Sequence, residues 1–376
     1  MNRDFPVDFM PEKQTVTFRF VLFLFAFWSF VGVAKGQCTE PQGAFVNEVY
    51  CSGQVLNYDL QANIDNHGNG IASTFNWKAV SDNPDIAGET LNFQSSSMIN
   101  DELVNLTGEV QYMVYQARPT AISDGCVGDF FLVIITLEPA PAGGYENATT
   151  CAHLRMSYSL QDNVDNLGNG LDASFTWKST VNHDSILGES LVYQDTAIIF
   201  DSLINITTSQ QTVTYEVIAT NDATGCPGDT LFVDVTVHPT PKGVNSQDLQ
   251  CSGEAVDYNL AENVRTLGNG IPASFLWVGN DNPDITGETL TPVFDSIITD
   301  VLFNGSGVNK TVIYEAAPFD LSTGCQGEPL LIIVPVRAEP VGVATTDLHC
   351  GATSVSVDIA PQSNLTNATF SWSGDN

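Results

Sequence analysis

The chain has 376 residues, which is room for about two to four ordinary domains, and 43% of them are hydrophobic. Its 44 acidic residues outnumber its 12 basic residues, so the formal net charge is −32 at pH 7. A polyanion of this kind is repelled by nucleic acid and by anionic lipid, which excludes both as partners.

The first 36 residues have the pattern of a signal peptide. Lys13 and Arg19 precede an apolar run at residues 20–33, and a small-x-small cleavage site at residues 34–36 lies before Gln37. A membrane anchor is the alternative, but the run is shorter than the roughly 20 residues that span a bilayer. We therefore expect a secreted or extracellular cell-surface location, with no membrane insertion of the mature chain.

After this segment, one pattern of cysteine, tryptophan and turn motifs recurs about every 100 residues, the size of one small domain. The pattern predicts three complete repeats and a truncated fourth. Short Pro-rich links such as residues 138–141 favour an end-to-end arrangement of these repeats. Because a third of a sandwich cannot close, we expect the chain to be part of a longer polypeptide. The predicted units are repeat 1 (37–141), repeat 2 (142–241), repeat 3 (242–340) and repeat 4 (341–376).

Each repeat opens with a predicted strand that has apolar residues at alternate positions, such as Val256, Tyr258 and Leu260. A Gly-Asn-Gly segment, at Gly68 to Gly70 in repeat 1, then supplies the positive φ angles of a tight turn. The next strand carries a Phe-x-Trp motif that places two aromatic side chains on one face, where they would form the centre of the core. The predicted core aromatic residues are Trp77, Trp177, Trp277 and Trp372.

Two longer strands complete the repeat. Pro335 lies inside the last one of repeat 3, which indicates a sheet edge or a bulge. No helix of convincing length is expected, so about seven short strands predict an all-β antiparallel sandwich. The tyrosine-containing strands are predicted at 110–117, 212–219 and 311–317, and the closing strands at 130–137, 231–237 and 330–336.

One cysteine opens and one closes each complete repeat, as expected for a protein of an oxidising compartment. A disulfide between these two cysteines requires that the opening strand and the closing strand start at the same end of the repeat. This pairing leaves Cys38 without a counterpart in the later repeats and Cys350 outside the three pairs. The simplest connectivity, one disulfide per repeat, links Cys51 to Cys126, Cys151 to Cys226 and Cys251 to Cys325.

Catalytic motifs are not found. The five histidines fall at different places in the repeats, and neither an H-E-x-x-H nor a G-x-S-x-G sequence occurs. Similar active sites repeated along a chain would also be unusual. The sequence therefore predicts a protein that is not an enzyme, and no cofactor is expected.

Several acidic positions recur and have two interpretations. In the favoured interpretation, the short acidic side chains cap backbone N–H groups where strands reverse. Calcium binding at the end of a repeat is the alternative, because carboxylates are its usual ligands. The recurring positions are Glu89, Glu189 and Glu288, Asp101, Asp201 and Asp300, and Asp129, Asp229 and Glu328.

The joint pattern of Cys-Ser-Gly, Gly-Asn-Gly, Phe-x-Trp, Thr-Gly-Glu, Asp-x-Leu-x-Asn and Gly-Cys-x-Gly resembles the PKD-like repeats of large secreted proteins of Bacteroidota. The resemblance covers residues 43–340 and, in part, 341–376. It implies tandem immunoglobulin-like β-sandwiches in a surface or secreted protein. The Trp-Asp-Phe-Gly-Asp motif of ordinary PKD domains is absent, because Lys78 follows Trp77.

These features predict a non-enzymatic secreted or cell-surface protein whose repeats form a stalk, as in an adhesin. Its partner would be a surface glycan or a protein. One alternative is a glycan-binding accessory module of a secreted polysaccharide-degrading enzyme, which exposed aromatic residues on one face would favour. The other is a spacer made rigid by calcium.

Overall fold

A computed structural model describes residues 38–346, 348, 350–351, 354–360, 363–365 and 368–374. The predicted signal peptide, residues 1–36, lies outside the described residues.

Each complete repeat has the same order of strands around one short helix. Repeat 1 contains β1 Val46–Cys51, β2 Tyr58–Asp59, α1 Leu60–His67, β3 Ser73–Ala79, β4 Ile86–Ala87, β5 Met98–Ile99, β6 Val104–Asn105, β7 Gln111–Ala121 and β8 Phe131–Glu138. Repeat 2 contains β9 Glu146–Cys151, β10 Tyr158–Ser159, α2 Leu160–Leu167, β11 Ala173–Ser179, β12 Ile186–Leu187, β13 Gln194–Asp195, β14 Ile198–Ile199, β15 Ile204–Asn205, β16 Gln211–Asn221 and β17 Pro227–His238. Repeat 3 contains β18 Ser246–Gln247, β19 Gln250–Cys251, β20 Tyr258–Asn259, α3 Leu260–Thr266, β21 Ser274–Gly279, β22 Ile285–Thr286, β23 Val293–Phe294, β24 Ile297–Ile298, β25 Phe303–Asn304, β26 Lys310–Phe319 and β27 Leu330–Arg337.

The four longest strands of repeat 1 form one sheet in the order β1-β8-β7-β3. Strands β3, β7 and β8 pair antiparallel, whereas β1 runs parallel to β8 over its whole length. The short pairs β2–β5 and β4–β6, together with α1, pack on the buried face of this sheet. Repeats 2 and 3 have the same layers, so the predicted all-β sandwich is confirmed with one difference: its first strand is parallel.

A tryptophan and a tyrosine form the centre of each core. In repeat 1, Trp77 and Tyr115 are buried, and their rings meet edge to face with centroids 5.8 Å apart. Trp177 and Trp277 are equally buried, as predicted. Trp372 is 86% exposed, so its prediction as a core residue is wrong. Each buried tryptophan is covered by a long tyrosine-containing strand that follows in its repeat, and the described residues include no such strand after Trp372.

Helices α1, α2 and α3 were not predicted. The Asp59 carboxylate caps α1 by accepting from the backbone N–H of Gln61 at 2.8 Å, and Ser159 and Asn259 act in the same way in the other repeats. In repeat 3 the predicted opening strand therefore stops at Asn259, because Leu260 already begins α3. Two helical turns are too short to show a 3.6-residue period in the sequence.

Pro335 does not lie in an edge strand. Strand β27 has β26 on one side and the parallel strands β18 and β19 on the other. The strand that pairs parallel with the closing strand is continuous in repeats 1 and 2. In repeat 3 this parallel strand is split into β18 and β19 opposite Pro335. Proline has no N–H to donate, so the ladder cannot continue at that position.

Candidate functional site at the repeat junctions

The two cysteines of one repeat lie at opposite ends of it. Cys51 is the last residue of β1 and is in register with Glu138, the last residue of the parallel strand β8. Cys126 precedes β8, so about 12 extended residues, or about 40 Å, separate the two positions. A disulfide needs Cα atoms within about 7 Å. The predicted bonds Cys51–Cys126, Cys151–Cys226 and Cys251–Cys325 are therefore wrong.

The cysteines pair between repeats instead. The opening cysteine of one repeat bonds to the closing cysteine of the next: Cys51 to Cys226, with Cα atoms 5.4 Å apart, and Cys151 to Cys325, at 5.5 Å. The closing cysteine of repeat 1 bonds to the N-terminal segment through Cys38–Cys126, at 6.0 Å. Cys38 thus has a partner, contrary to prediction. Cys251 is exposed and is not disulfide-bonded.

Each Pro-rich link is held by the repeat that follows it. Asn169 Nδ2 donates to Ala140 O at 2.8 Å, and its Oδ1 accepts from Ala142 N–H at 3.0 Å. The same pair of bonds is made by the middle residue of every Gly-Asn-Gly segment, and in repeat 4 by Asn364. We call these four residues the linker asparagines: Asn69, Asn169, Asn269 and Asn364.

The glycines on either side of a linker asparagine have separate roles. A Cβ atom on Gly168 would lie 1.6 Å from Ala142 O, so only glycine permits the close approach of the link. Gly170 has φ +66°, which confirms the predicted positive φ. The turn, however, ends a helix rather than joining two strands.

Further hydrogen bonds restrict the movement of repeat 1 relative to repeat 2. Asn163, buried in α2, bonds to both backbone groups of Gly144, and Asn221 Nδ2 donates to Pro139 O at 3.0 Å. Within repeat 1, Ser52 N–H donates to Glu138 O at the end of β8, where the link begins. The link is therefore fixed to repeat 2 from residue 139 onward. The disulfide Cys51–Cys226 joins the two repeats close to the start of the link, because Cys51 is in register with Glu138.

Acidic residues line a cleft of about 490 Å³ at this junction, including Glu109, Glu138, Asp172 and Asp222. These acids do not recur, because the equivalent positions of the next junction are Ser209, His238, Pro272 and Leu321. Over the described residues, no group of three or more histidine, cysteine or acidic side chains could hold a metal ion. In contrast to these acids, the disulfide and the linker asparagine are present at both junctions.

Six of the nine recurring acids make the hydrogen bonds expected of capping residues. Asp201 Oδ2 accepts from Ser190 N–H at 2.7 Å and from Tyr215 Oη at 2.8 Å, and Oδ1 accepts from Ser190 Oγ. Burial and the Asp201 carboxylate hold the pKa of Tyr215 well above its usual value. Repeats 1 and 3 contain the same network, built on Asp101 and Asp300. Glu89, Glu189 and Glu288 each accept from a backbone N–H six residues earlier.

The residues that form the junctions recur visibly in the sequence, but the sequence does not show which of them contact each other. Three of the four linker asparagines repeat visibly in Gly-Asn-Gly, and the cysteines repeat with them. Which cysteines meet depends on the direction of β1, and strand direction cannot be read from alternating hydrophobicity. The buried asparagines Asn63, Asn163 and Asn263 also recur at equal spacing, but they were not singled out.

A family model described as the PKD-like domain matches residues 48–141, 148–241 and 248–340. No curated protein sequence matches the chain. Among solved structures, chicken CNTN1 FN1–FN3 matches with a TM-score of 0.27 and 13% identity, covering 70% of this chain and 89% of that one. Drosophila N-cadherin EC1–4 matches with a TM-score of 0.22 and 11% identity, covering 77% and 73%. The insect immune protein hemolin matches with a TM-score of 0.23 and 12% identity, covering 80% and 75%. None of the helices in the described residues is long and apolar enough to cross a membrane.

Proposed function

The chain belongs to the PKD-like domain family, and we propose that it is a non-enzymatic, secreted or cell-surface stalk of the adhesin type. Its complete repeats would hold a binding surface away from the cell, and the partner would be a protein or a glycan of another surface. Disulfide bonds persist in oxidising compartments, which supports an extracellular location reached through the signal peptide at residues 1–36.

The observation that carries this proposal is the pair of disulfides between repeats. Each repeat already has its own hydrophobic core, so Cys51–Cys226 and Cys151–Cys325 are not needed to build a core. They restrict how one repeat moves on the next. Consecutive domains of one chain ordinarily move relative to each other unless their interface is large. A covalent bond at each junction is useful where the length and direction of the whole chain matter.

Small-angle X-ray scattering of residues 37–340 tests the stalk. Three repeats of about 40 Å in line form a rod of about 120 Å, with a radius of gyration of about 35 Å. A compact protein of this size would have about 19 Å. A value near the compact one would contradict the proposal. Export is tested separately: residues 1–376 expressed in a secreting host should yield a protein whose N-terminus is Gln37.

A second candidate function, glycan binding, has its best support on the outer face of repeat 1. Phe93 and Phe130 are about half exposed and, with Asn76 and Arg118, line a depression of about 380 Å³. The Arg118 guanidinium lies 5.1 Å from the centre of the Phe130 ring. Exposed aromatic rings beside hydrogen-bonding side chains suit a sugar. The three buried tryptophans are not available for this role.

An array of purified polysaccharides tests this candidate. Binding that is lost in Phe130→Ala and retained in Phe303→Ala, an equally exposed phenylalanine of repeat 3, would support it. Binding that is unaffected by either substitution, or no binding at all, would contradict it and leave the stalk proposal intact.

A further inference from the structure

We propose that Cys251 is the attachment site for the closing cysteine of a fourth PKD-like repeat, the repeat that residues 341–374 begin. The bond would be the next member of the series formed by Cys51–Cys226 and Cys151–Cys325. This inference rests on the geometry of the junctions and not on adhesion, so it can fail while the stalk proposal stands.

The equivalence of the three opening cysteines is the first support. Cys51, Cys151 and Cys251 each end the strand that runs parallel to the closing strand of the repeat. In register they lie opposite Glu138, His238 and Arg337, the last residues of those closing strands. Two of the three bond to the next repeat, and Cys251, at the same place, is exposed.

The junction after repeat 3 supplies an independent observation, because two kinds of contact from the earlier junctions recur there. Asn364 Nδ2 donates to Glu339 O at 3.0 Å, and its Oδ1 accepts from Val341 N–H at 2.7 Å, as the other linker asparagines do. The same loop contacts the next repeat at both places: a Cβ on Gly108 would lie 3.6 Å from Asn169 O, and one on Gly307 would lie 3.1 Å from Asn364 O. Repeat 4 therefore begins in the position that repeat 2 occupies on repeat 1.

The occupant is a repeat that follows in line, not a second copy of repeats 1–3. In such a copy the closing cysteines Cys126, Cys226 and Cys325 are all in disulfides already. Cys38 closes the N-terminal end of the series by taking the place of an opening cysteine before repeat 1. Cys251, by contrast, has no disulfide partner among the described residues.

Bond formation needs an oxidant, because two thiols lose two electrons and two protons as one S–S bond forms. A disulfide oxidant such as glutathione disulfide accepts them. The Cys251 thiolate attacks it and releases one glutathione. The closing cysteine then attacks the mixed disulfide and releases the second.

The first test completes repeat 4 with the missing part of repeat 3. Trp372 matches Trp277 in the Phe-x-Trp motif, so residues 37–372 are followed by a second copy of residues 278–340. After oxidation with glutathione disulfide, peptide mapping should find Cys251 bonded to the added copy of Cys325. Maleimide labelling of Cys251 should fall at least tenfold relative to residues 37–376. Protection of Trp372 from an iodide quencher shows that the repeat has closed.

The second test does not depend on that closure. Residues 37–340 are followed by a second copy of residues 142–241, a repeat that has its own core. Cys251 should bond to the added copy of Cys226, and the added copy of Cys151 should take up the maleimide instead. With Cys251→Ser the added copy of Cys226 should become labelled, whereas Cys350→Ser in the first chimera should change nothing.

Three results would overturn the inference. The added closing cysteine could bond within its own repeat, to Cys350 in the first chimera or to the copy of Cys151 in the second. It could remain a thiol together with Cys251. Cys251 could instead join two molecules in a disulfide-linked dimer.

Discussion

The same three side chains meet in every core: a tryptophan, a tyrosine and an aspartate. Trp177 packs edge to face on Tyr215, and Tyr215 donates to Asp201. The tryptophan was predicted from its motif, because alternation places it on the buried face. The aspartate could be assigned only a local capping role from sequence. Its bond to a tyrosine 14 residues later depends on which strands are neighbours.

The tryptophans differ in one hydrogen bond, which gives a stability prediction. Trp77 Nε1 donates to Ser96 O at 3.0 Å, whereas Trp277 Nε1 is buried with no hydrogen-bond partner in the described structure. Replacement by phenylalanine removes similar volume at both sites, so we expect Trp77→Phe to destabilise its repeat by about 1 kcal/mol more than Trp277→Phe. Hydrogen exchange of the slowest amides in β7 and β26 measures each repeat separately. Trp177→Phe should behave like Trp77→Phe, and equal losses at all three sites would contradict the prediction.

Because the pKa of its buried tyrosines is raised, we expect the protein to lose stability at high pH. The pKa of Tyr215 is raised from 10.0 in the native repeat, so the folded state holds its proton more tightly than the unfolded chain does. Stability is therefore complete below pH 10 and falls as the pH rises further, by about 1.4 kcal/mol per pH unit for each such tyrosine. At neutral pH, Tyr215→Phe should be less stable than the parent because Asp201 loses a partner.

Urea unfolding of parent and variant, with thiols alkylated beforehand, checks the pH dependence. Between about pH 10 and pH 11 the gap between parent and Tyr215→Phe should narrow by about 1 kcal/mol, because only the parent loses this proton on unfolding. A constant gap would mean that Tyr215 ionises equally in both states, and a widening gap would mean that it ionises more readily in the folded state; either result would contradict the prediction.

At the level of elements, the positions of the long strands could be predicted from the sequence, but the direction of the first strand could not. The long strands β7, β16 and β26 fall where alternation predicted them, because one buried face produces a two-residue period. Strand β1 has no such period, with only partial burial along its length, and its pairing parallel to β8 had no sequence signal. That single direction moves Cys51 to the far end of its repeat. It converts an expected bond within a repeat into a bond between repeats.

The linker asparagine of repeat 2 gives a prediction for one element, the link itself. Asn169→Ala removes two hydrogen bonds that hold residues 140–142, each worth about 1 kcal/mol. Amide exchange at Ala142 should become about fivefold to thirtyfold faster. Asn92→Ala, an exposed asparagine outside the junctions, should leave Ala142 unchanged. Unchanged exchange in Asn169→Ala would contradict the prediction and show that the other contacts of the junction hold the link without Asn169.

At the scale of the whole molecule, the three disulfides interlock. They enclose residues 38–126, 51–226 and 151–325, and each range overlaps the next. The shortest covalent route from Cys38 to Cys325 therefore crosses two disulfides and only the residues between Cys126 and Cys151. Those residues form β8, the Pro-rich link and β9, all of which are already extended. About 25 residues can reach about 85 Å, close to the length of two repeats in line.

A stalk built in this way should scarcely lengthen under load. In single-molecule force spectroscopy with handles at residues 37 and 340, the oxidised chain should show no extension of several hundred ångströms between Cys38 and Cys325. After reduction, the same segment of about 290 residues should release a contour length of about 1000 Å. An oxidised chain that unfolds to the reduced length would contradict the interlocked arrangement.

Two matched variants separate the roles of the disulfides, because the shortest route uses one junction bond and not the other. Cys151→Ser with Cys325→Ser breaks that route, and the next shortest one runs from Cys38 to Cys51, crosses Cys51–Cys226 and continues to Cys325, with about 110 residues, or about 400 Å. Cys51→Ser with Cys226→Ser leaves the original route intact, so the chain should remain short. Each double variant removes one disulfide between repeats and two cysteines. If only the number of crosslinks mattered, both variants would therefore extend by the same length. A long extension in the first pair and a short one in the second would show that force passes along β8, the link and β9.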